Sequence, residues 1–194
     1  MNSMHGWTGA LLHIDLCGGD ISTTDVAYYR DGFIGGRLLA SRLYWDNTAE
    51  SVKALEPDNV LMLLAGPLTG TPAIGCSRWI MAAKSPHLYP DQYSFGNGGG
   101  LFGAAMKHAG YDGIILRGSA PGFSYVLVEG GKAHIKDAEG LRGCETGDTI
   151  SRLKQAHGQG AHVICIGPAG ENLVRFAMVA TEPVSYTHLR AHET

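Results

Sequence analysis

Several things are missing from this chain of 194 residues. No apolar run approaches the roughly 18 residues that cross a bilayer. Met1 to Thr8 has neither the basic nor the apolar segment that opens a secretory leader. A cytoplasmic chain with no membrane partner is therefore expected. The four cysteines, Cys17, Cys76, Cys144 and Cys165, include no C-x-x-C pair. That argues against a zinc site and against a disulfide framework, and each is read as a small buried or half-buried apolar residue. Fifteen Lys and Arg stand against eighteen Asp and Glu, a net charge of -3, and no basic stripe is interleaved with aromatics, so no nucleic acid is expected as a partner. There is no regular βαβ alternation and no repeat of about 20 to 50 residues.

What is present is glycine, 28 residues of it, in a chain that is 44% hydrophobic and long enough for one domain with its own core. Ala10 to Leu16 followed by Gly18-Gly19 and Asp20 to Thr24 reads as a hairpin, because paired glycines supply the positive φ of a tight turn. Gly35 to Asn47 places Leu38, Leu39, Leu43 and Tyr44 at helical spacing, and Val60 to Gly66 reads as a buried strand. Gly66 to Gly75, "GPLTGTPAIG", is loop, and Ser77 to Lys84 is strand. Gly100 to Ala109 is read as a helix with Leu101 and Ala105 inward, closed by Gly110. Strands follow at Gly113 to Leu116, Tyr125 to Glu129 and Lys132 to Lys136, then a helix from Thr146 to His157 ended by Gly158, then strands at His162 to Gly167 and Asn172 to Ala180. The expected class is α+β, built mainly on sheet, with about three helices. Trp7 and Trp79 are expected to pack, Lys84, Lys107 and Lys132 to be solvated, and Glu171 and Asn172 to hold a turn.

The most unusual stretch is "YSFGNGGGLFGAAMKHAGYDG", Tyr93 to Gly113. Gly98 to Gly103 matches G-x-G-x-x-G, the pattern by which amides at a helix start cradle a pyrophosphate. The rest of that fingerprint is absent: "HLYPDQYSF" is not a buried strand, and Arg117 stands where an acidic residue belongs. Without a Rossmann fold, exposed amides at Gly98 to Gly100 still favour an anion, Asn97 suits a left-handed turn, and Arg78 offers a planar fork for phosphate oxygens. The other reading, a glycine turn that merely lets a helix pack closely, stays open.

Five blocks in order carry a resemblance. "GWTGALLHIDL" (Gly6 to Leu16), "FIGGR" (Phe33 to Arg37), "NVLMLLAGPLTGTPAIGCSR" (Asn59 to Arg78), "GGGLFGAAMKHAGYDGIILRG" (Gly98 to Gly118) and "CIGPAGENLVRFA" (Cys165 to Ala177) together resemble the N-terminal domain of the aldehyde ferredoxin oxidoreductase family of tungsten and molybdenum enzymes. The resemblance implies a base domain of two β-sheets carrying a tungsten or molybdenum ion held by two pterin dithiolenes. It implies that Arg78, Asn97 and Gly99, with Gly98 beside them, contact the pterin phosphates. The main-chain oxygen of Asn97 would also help hold a magnesium ion. Members of the family oxidise small aldehydes to carboxylic acids, pass electrons through a [4Fe-4S] cluster to ferredoxin, and often form homodimers. The cluster's cysteines and the catalytic groups are expected beyond this chain. Leu38 stands where the family usually has glycine. Residues 1–182 are thus read as the cofactor-binding domain and 183–194, "SYTHLRAHET" with the two residues before it, as a foreign tail. The rival reading is a self-standing nucleotide- or anion-binding module without redox activity.

Overall fold

The computed structural model describes residues 6–87 and 89–181; the tail reading lies outside them. Ten strands form one six-stranded sheet and two two-stranded sheets, and helices cover both faces of the large sheet. The strands of the large sheet are β1 (Ala10–Asp15), β2 (Ile21–Asp25), β3 (Val60–Ala65), β4 (Trp79–Ser85), β5 (Gln92–Gly98) and β6 (Gly113–Arg117), in the order β2-β1-β6-β3-β4-β5. Every neighbouring pair is antiparallel except β1 with β6, where Leu11 lies opposite Gly113.

Two of the helices expected from sequence are long: α2 (Gly36–Asn47), after the single turn α1 (Ala27–Arg30), and α4 (Thr146–His157). Between them the third, α3 (Phe102–His108), has only seven residues. α2 buries Leu39, Ala40 and Leu43 and leaves Leu38 exposed, so the helix is turned by about one residue from the face read in the sequence. It covers the sheet face made by Leu11, Val60, Met62, Leu64, Ile80, Ala82 and Ile115. The opposite face, with Leu61, Leu63, Trp79 and Met81, packs on Met106 of α3 and on the hairpin β7 (Ser124–Glu129) and β8 (Lys132–Asp137). β3 is buried at every position because both of its faces are covered. The last part of the chain holds β9 (Ile164–Cys165), the single turn α5 (Pro168–Glu171) and β10 (Ala180–Thr181). Asn172 to Val179 is therefore not a strand. Asn172 and Glu171 do hold turns: Asn172 Nδ2 donates to the Pro168 carbonyl at 2.7 Å, and the Glu171 carboxylate accepts the Gly143 amide at 2.9 Å.

Two further readings are corrected. Lys107 is not solvated; it is 7% exposed, and its ammonium is ion-paired with Asp112, which is wholly buried. Cys17 is exposed in the β1–β2 turn, whereas Cys165 is half-buried and burial pushes its thiol up to about 11. At pH 8 almost none of Cys165 is thiolate, the reactive form. Iodoacetamide at that pH is expected to label Cys17 well before Cys165, as peptide mass mapping over time would record; equal rates would contradict the burial.

Candidate functional site

The glycine run ends an edge strand. β5 pairs only with β4, placing Ile80 opposite Asn97 and Trp79 opposite Gly98. Sequence reasoning missed β5, since Gln92, Ser94, Gly96 and Gly98 carry little strand propensity. It lies at the sheet margin, where weak strand formers are tolerated because one partner suffices. A strand thus does precede the G-x-G-x-x-G match, but it is antiparallel to its neighbour, so no dinucleotide βαβ unit exists here.

Much of the missing side-chain volume belongs to Trp79. A Cβ on Gly98 would lie 2.1 Å from the Trp79 ring, and one on Gly103 would lie 3.0 Å from the Trp79 Cβ. The indole is 1% exposed, packs at a tilt against Phe102 with centroids 5.0 Å apart, and donates Nε1–H to the Gly99 carbonyl at 3.0 Å. One buried tryptophan therefore sits beneath the turn and fixes its shape. Asn97 is exposed within β5 and not in a left-handed turn; the positive φ falls on Gly100, at 71°. The amides of Gly99 and Gly100 donate to no acceptor among the described residues, but of the three glycines expected to expose their amides only Gly100 is exposed; Gly98 and Gly99 are buried over Trp79.

Alternation then sorts the side chains. Trp79 and Met81 point to the α3 face and Ile80 and Ala82 to the α2 face. Tyr93, Phe95 and Asn97, opposite Lys84, Ala82 and Ile80, share the α2 face of β5. Arg78 immediately precedes β4, one residue before the Trp79–Gly98 pair. Its carbonyl accepts from Thr69 Oγ1 at 2.9 Å, while its exposed guanidinium neither donates a hydrogen bond nor forms an ion pair among the described residues. The structure thus brings Arg78, Asn97, Gly98 and Gly99 together at one end of the β4–β5 ladder. Around them the loops expose apolar side chains, with Leu68, Leu101 and the fully exposed Ile74 the largest.

Behind the turn, the segment Gly6–Gly9 is clasped to the sheet. The Asp112 carboxylate accepts the amides of Thr8 at 3.1 Å and Gly9 at 2.8 Å, and Lys107 Nζ donates both to Asp112 and to the Gly6 carbonyl, the latter at 2.7 Å. A Cβ on Gly6 would stand 2.4 Å from the Pro67 carbonyl oxygen, so this clasp also backs the Gly66–Gly75 loop. Sequence reasoning missed it; the available signal was a lone carboxylate, Asp112, immediately before an apolar strand.

Two hollows lie elsewhere among the described residues. One of about 160 Å³ is lined by Leu16, Pro57 and Leu116, among others, and one of about 180 Å³ by His13, Asp20 and Arg117. Burial, and then the charge of Arg117, hold the His13 imidazole below its usual range. The glycine turn lines neither of them. Among the described residues no helix is long and apolar enough to cross a membrane.

Comparison with known proteins accounts for this architecture. A family model described as aldehyde ferredoxin oxidoreductase, N-terminal domain, matches residues 11–192. The tungsten-containing aldehyde ferredoxin oxidoreductase of Pyrococcus furiosus is 34% identical over 181 residues, covering 92% of this chain and 30% of the relative. That of Thermococcus kodakarensis is 33% identical, again over 92% of this chain and 30% of the relative. The aliphatic sulfonate oxidoreductase, WOR-like subunit, of Pyrococcus furiosus is 32% identical over 92% of this chain and 31% of its own length. Among solved structures, the active site complex BamBC of benzoyl coenzyme A reductase in complex with 1,5-dienoyl-CoA superposes with a TM-score of 0.87 and 34% identity, over 94% of this chain and 28% of that one. The chain thus spans about 30% of the length of the curated relatives it matches. By its sequence, its residue span and its fold, the chain belongs to the aldehyde ferredoxin oxidoreductase family and corresponds to its N-terminal domain.

Proposed function

We propose that this chain is the cofactor-seating part of a longer oxidoreductase. On this reading the whole protein oxidises small aldehydes to carboxylic acids and passes the electrons through a [4Fe-4S] cluster to ferredoxin. Arg78, Asn97, Gly98 and Gly99 hold the phosphate ends of a tungsten- or molybdenum-bispterin. The observation that carries the reading is that Arg78, exposed and with a guanidinium bonded to nothing among the described residues, ends the same β4–β5 ladder as a turn whose exposed Gly100 has an unclaimed amide. Phosphate oxygens want both kinds of donor, a planar fork and bare N–H groups. Trp79 keeps the turn in shape before any ligand arrives, which lowers the ordering cost of binding.

The residues fit such a group. Magnesium keeps several waters and takes oxygens from phosphates, and the main-chain oxygen of Asn97 would help hold it as one ligand among these. Leu68, Ile74 and Leu101 give the surrounding loops apolar surface suited to a large ring system. When bound, the metal and its dithiolenes supply the redox chemistry, and the protein's part is to position them. Relatives whose names specify an aldehyde, an aliphatic sulfonate and a dienoyl thioester all share this domain at 32–34% identity. A role common to all of them, holding the cofactor, explains that better than substrate choice does. The self-standing nucleotide module is less well supported, because the matches are to parts of longer oxidoreductases.

Arg78→Ala in the full-length protein tests the reading. Metal and pterin per polypeptide are expected to fall about tenfold, the value of one charge-assisted contact. Thermal stability is expected to stay within about 2 °C, as for other unpartnered surface residues. Equal metal and pterin loading would refute the assignment.

A further inference from the structure

We propose that Thr69, buried in the Gly66–Gly75 loop, is a positioning residue for Arg78: its hydroxyl fixes the main chain from which the guanidinium extends. The register of β4 with β5 begins at Trp79 opposite Gly98, so Arg78 stands just outside the ladder and is not set by it. The loop sets it instead, because Thr69 Oγ1 donates to the Arg78 carbonyl at 2.9 Å.

Thr69 is itself firmly seated. It is 4% exposed, and its amide donates to the Gly66 carbonyl at 3.1 Å, closing the turn that carries it. Its methyl rests against α3: a Cβ on Gly103 would lie 3.1 Å from Thr69 Cγ2 and 3.0 Å from Trp79 Cβ. A Cβ on Gly70 would lie 3.4 Å from both Ala104 Cα and Lys107 Cβ, so the next residue is pressed onto the same helix. A β-branched side chain packed in this way holds one rotamer, which aims the hydroxyl before any ligand arrives. Packing alone would be served by valine, which has the same outline. A buried hydroxyl costs stability unless it is bonded, and this one is bonded to the main chain of the residue that the phosphate seat uses. Arginine carries a long, freely turning stem. Anchoring its main chain confines the space the guanidinium sweeps and reduces the entropy lost when it grips.

This inference rests on the phosphate-seat reading above, and its test separates the two. The full-length protein is prepared as wild type, Thr69→Val, Thr69→Ala, Thr69→Ser, Arg78→Ala and the double variant Thr69→Val with Arg78→Ala. Tungsten or molybdenum per polypeptide is measured by mass spectrometry after exhaustive dialysis, alongside thermal unfolding. Thr69→Val keeps the outline and drops the hydroxyl; it is expected to lose cofactor about fivefold while melting about 2–4 °C lower. Thr69→Ser keeps the hydroxyl and drops the methyl; it is expected to hold cofactor at the wild-type level. The double variant is expected to lose no more than Arg78→Ala alone, because Thr69 acts through Arg78. Where Thr69→Val does not accumulate, Thr69→Ala against Thr69→Ser makes the same comparison. If Arg78→Ala strips the cofactor while Thr69→Val retains it, Thr69 is overturned and the seat stands. If Arg78→Ala retains full loading, the seat falls and this inference with it. If the losses add in the double variant, or if Thr69→Ser loses cofactor as Thr69→Val does, Thr69 supports the fold alone and the proposal is overturned.

Discussion

Asp112→Ala is expected to lower the melting temperature by about 6–20 °C. That range follows from about 3–5 kcal/mol for breaking a buried ion pair and about 2–4 °C per kcal/mol for a chain of this size. The cost is high because one carboxylate with no solvent exposure serves three donors, the Lys107 ammonium and the amides of Thr8 and Gly9. Removing it strands a buried cation and two amides together, and unsatisfied buried groups cost more than the bonds themselves contribute. The double variant Lys107→Met with Asp112→Leu removes the charges but still leaves the amides open, so it should recover only part of the loss. Calorimetry of the three proteins checks this; a drop under about 2 °C for Asp112→Ala would show that the clasp does not hold the fold.

Gly98→Val is the second large effect. The new Cβ would sit 2.1 Å from an indole that cannot withdraw, since Gly103 and Phe102 close its other side. Overpacking costs about 1–3 kcal/mol where the core can yield, and the upper end is expected here. The strain should be local: β5 amides should exchange with deuterium much faster while those of β3 keep their protection, and the near-ultraviolet circular dichroism of tryptophan should change. Pairing the substitution with Trp79→Leu should restore part of the stability. Wild-type stability together with cofactor loss in the full-length protein would reverse the assignment, placing the ligand, and not Trp79, against the bare face of Gly98.

The contrast between those two positions says what was legible. The α2 helix, the buried β3 strand, the Gly130–Gly131 hairpin and the α4 helix with Gly158 after it announce themselves through periodicity and terminators, which are local. The glycines near Asn97 were legible as a close approach, but not what approaches: Trp79 lies 19 positions upstream and reaches Gly98 only through strand pairing. Lys107 sits at a helix position that reads as exposed until Asp112 is known to be buried beneath it. β5 was hidden because its composition disfavours a strand and only its place at the margin permits one. Thr69 and Arg78 are 9 residues apart, and no local pattern joins them.

The lone parallel pairing has a consequence for biosynthesis. β1 reaches its interior neighbour only when β6 arrives, about a hundred positions later, with Leu11 meeting Gly113. The entropy of closing so long a loop comes due before the contact repays it, which slows folding. On the ribosome the first hairpin must therefore wait, with the apolar side chains of Leu11, Leu12 and Ile14 uncovered, until residue 117 has emerged. The Lys107–Asp112 clasp can form only once that wait ends, and it ties Gly6–Gly9 to the start of the strand that completes the sheet.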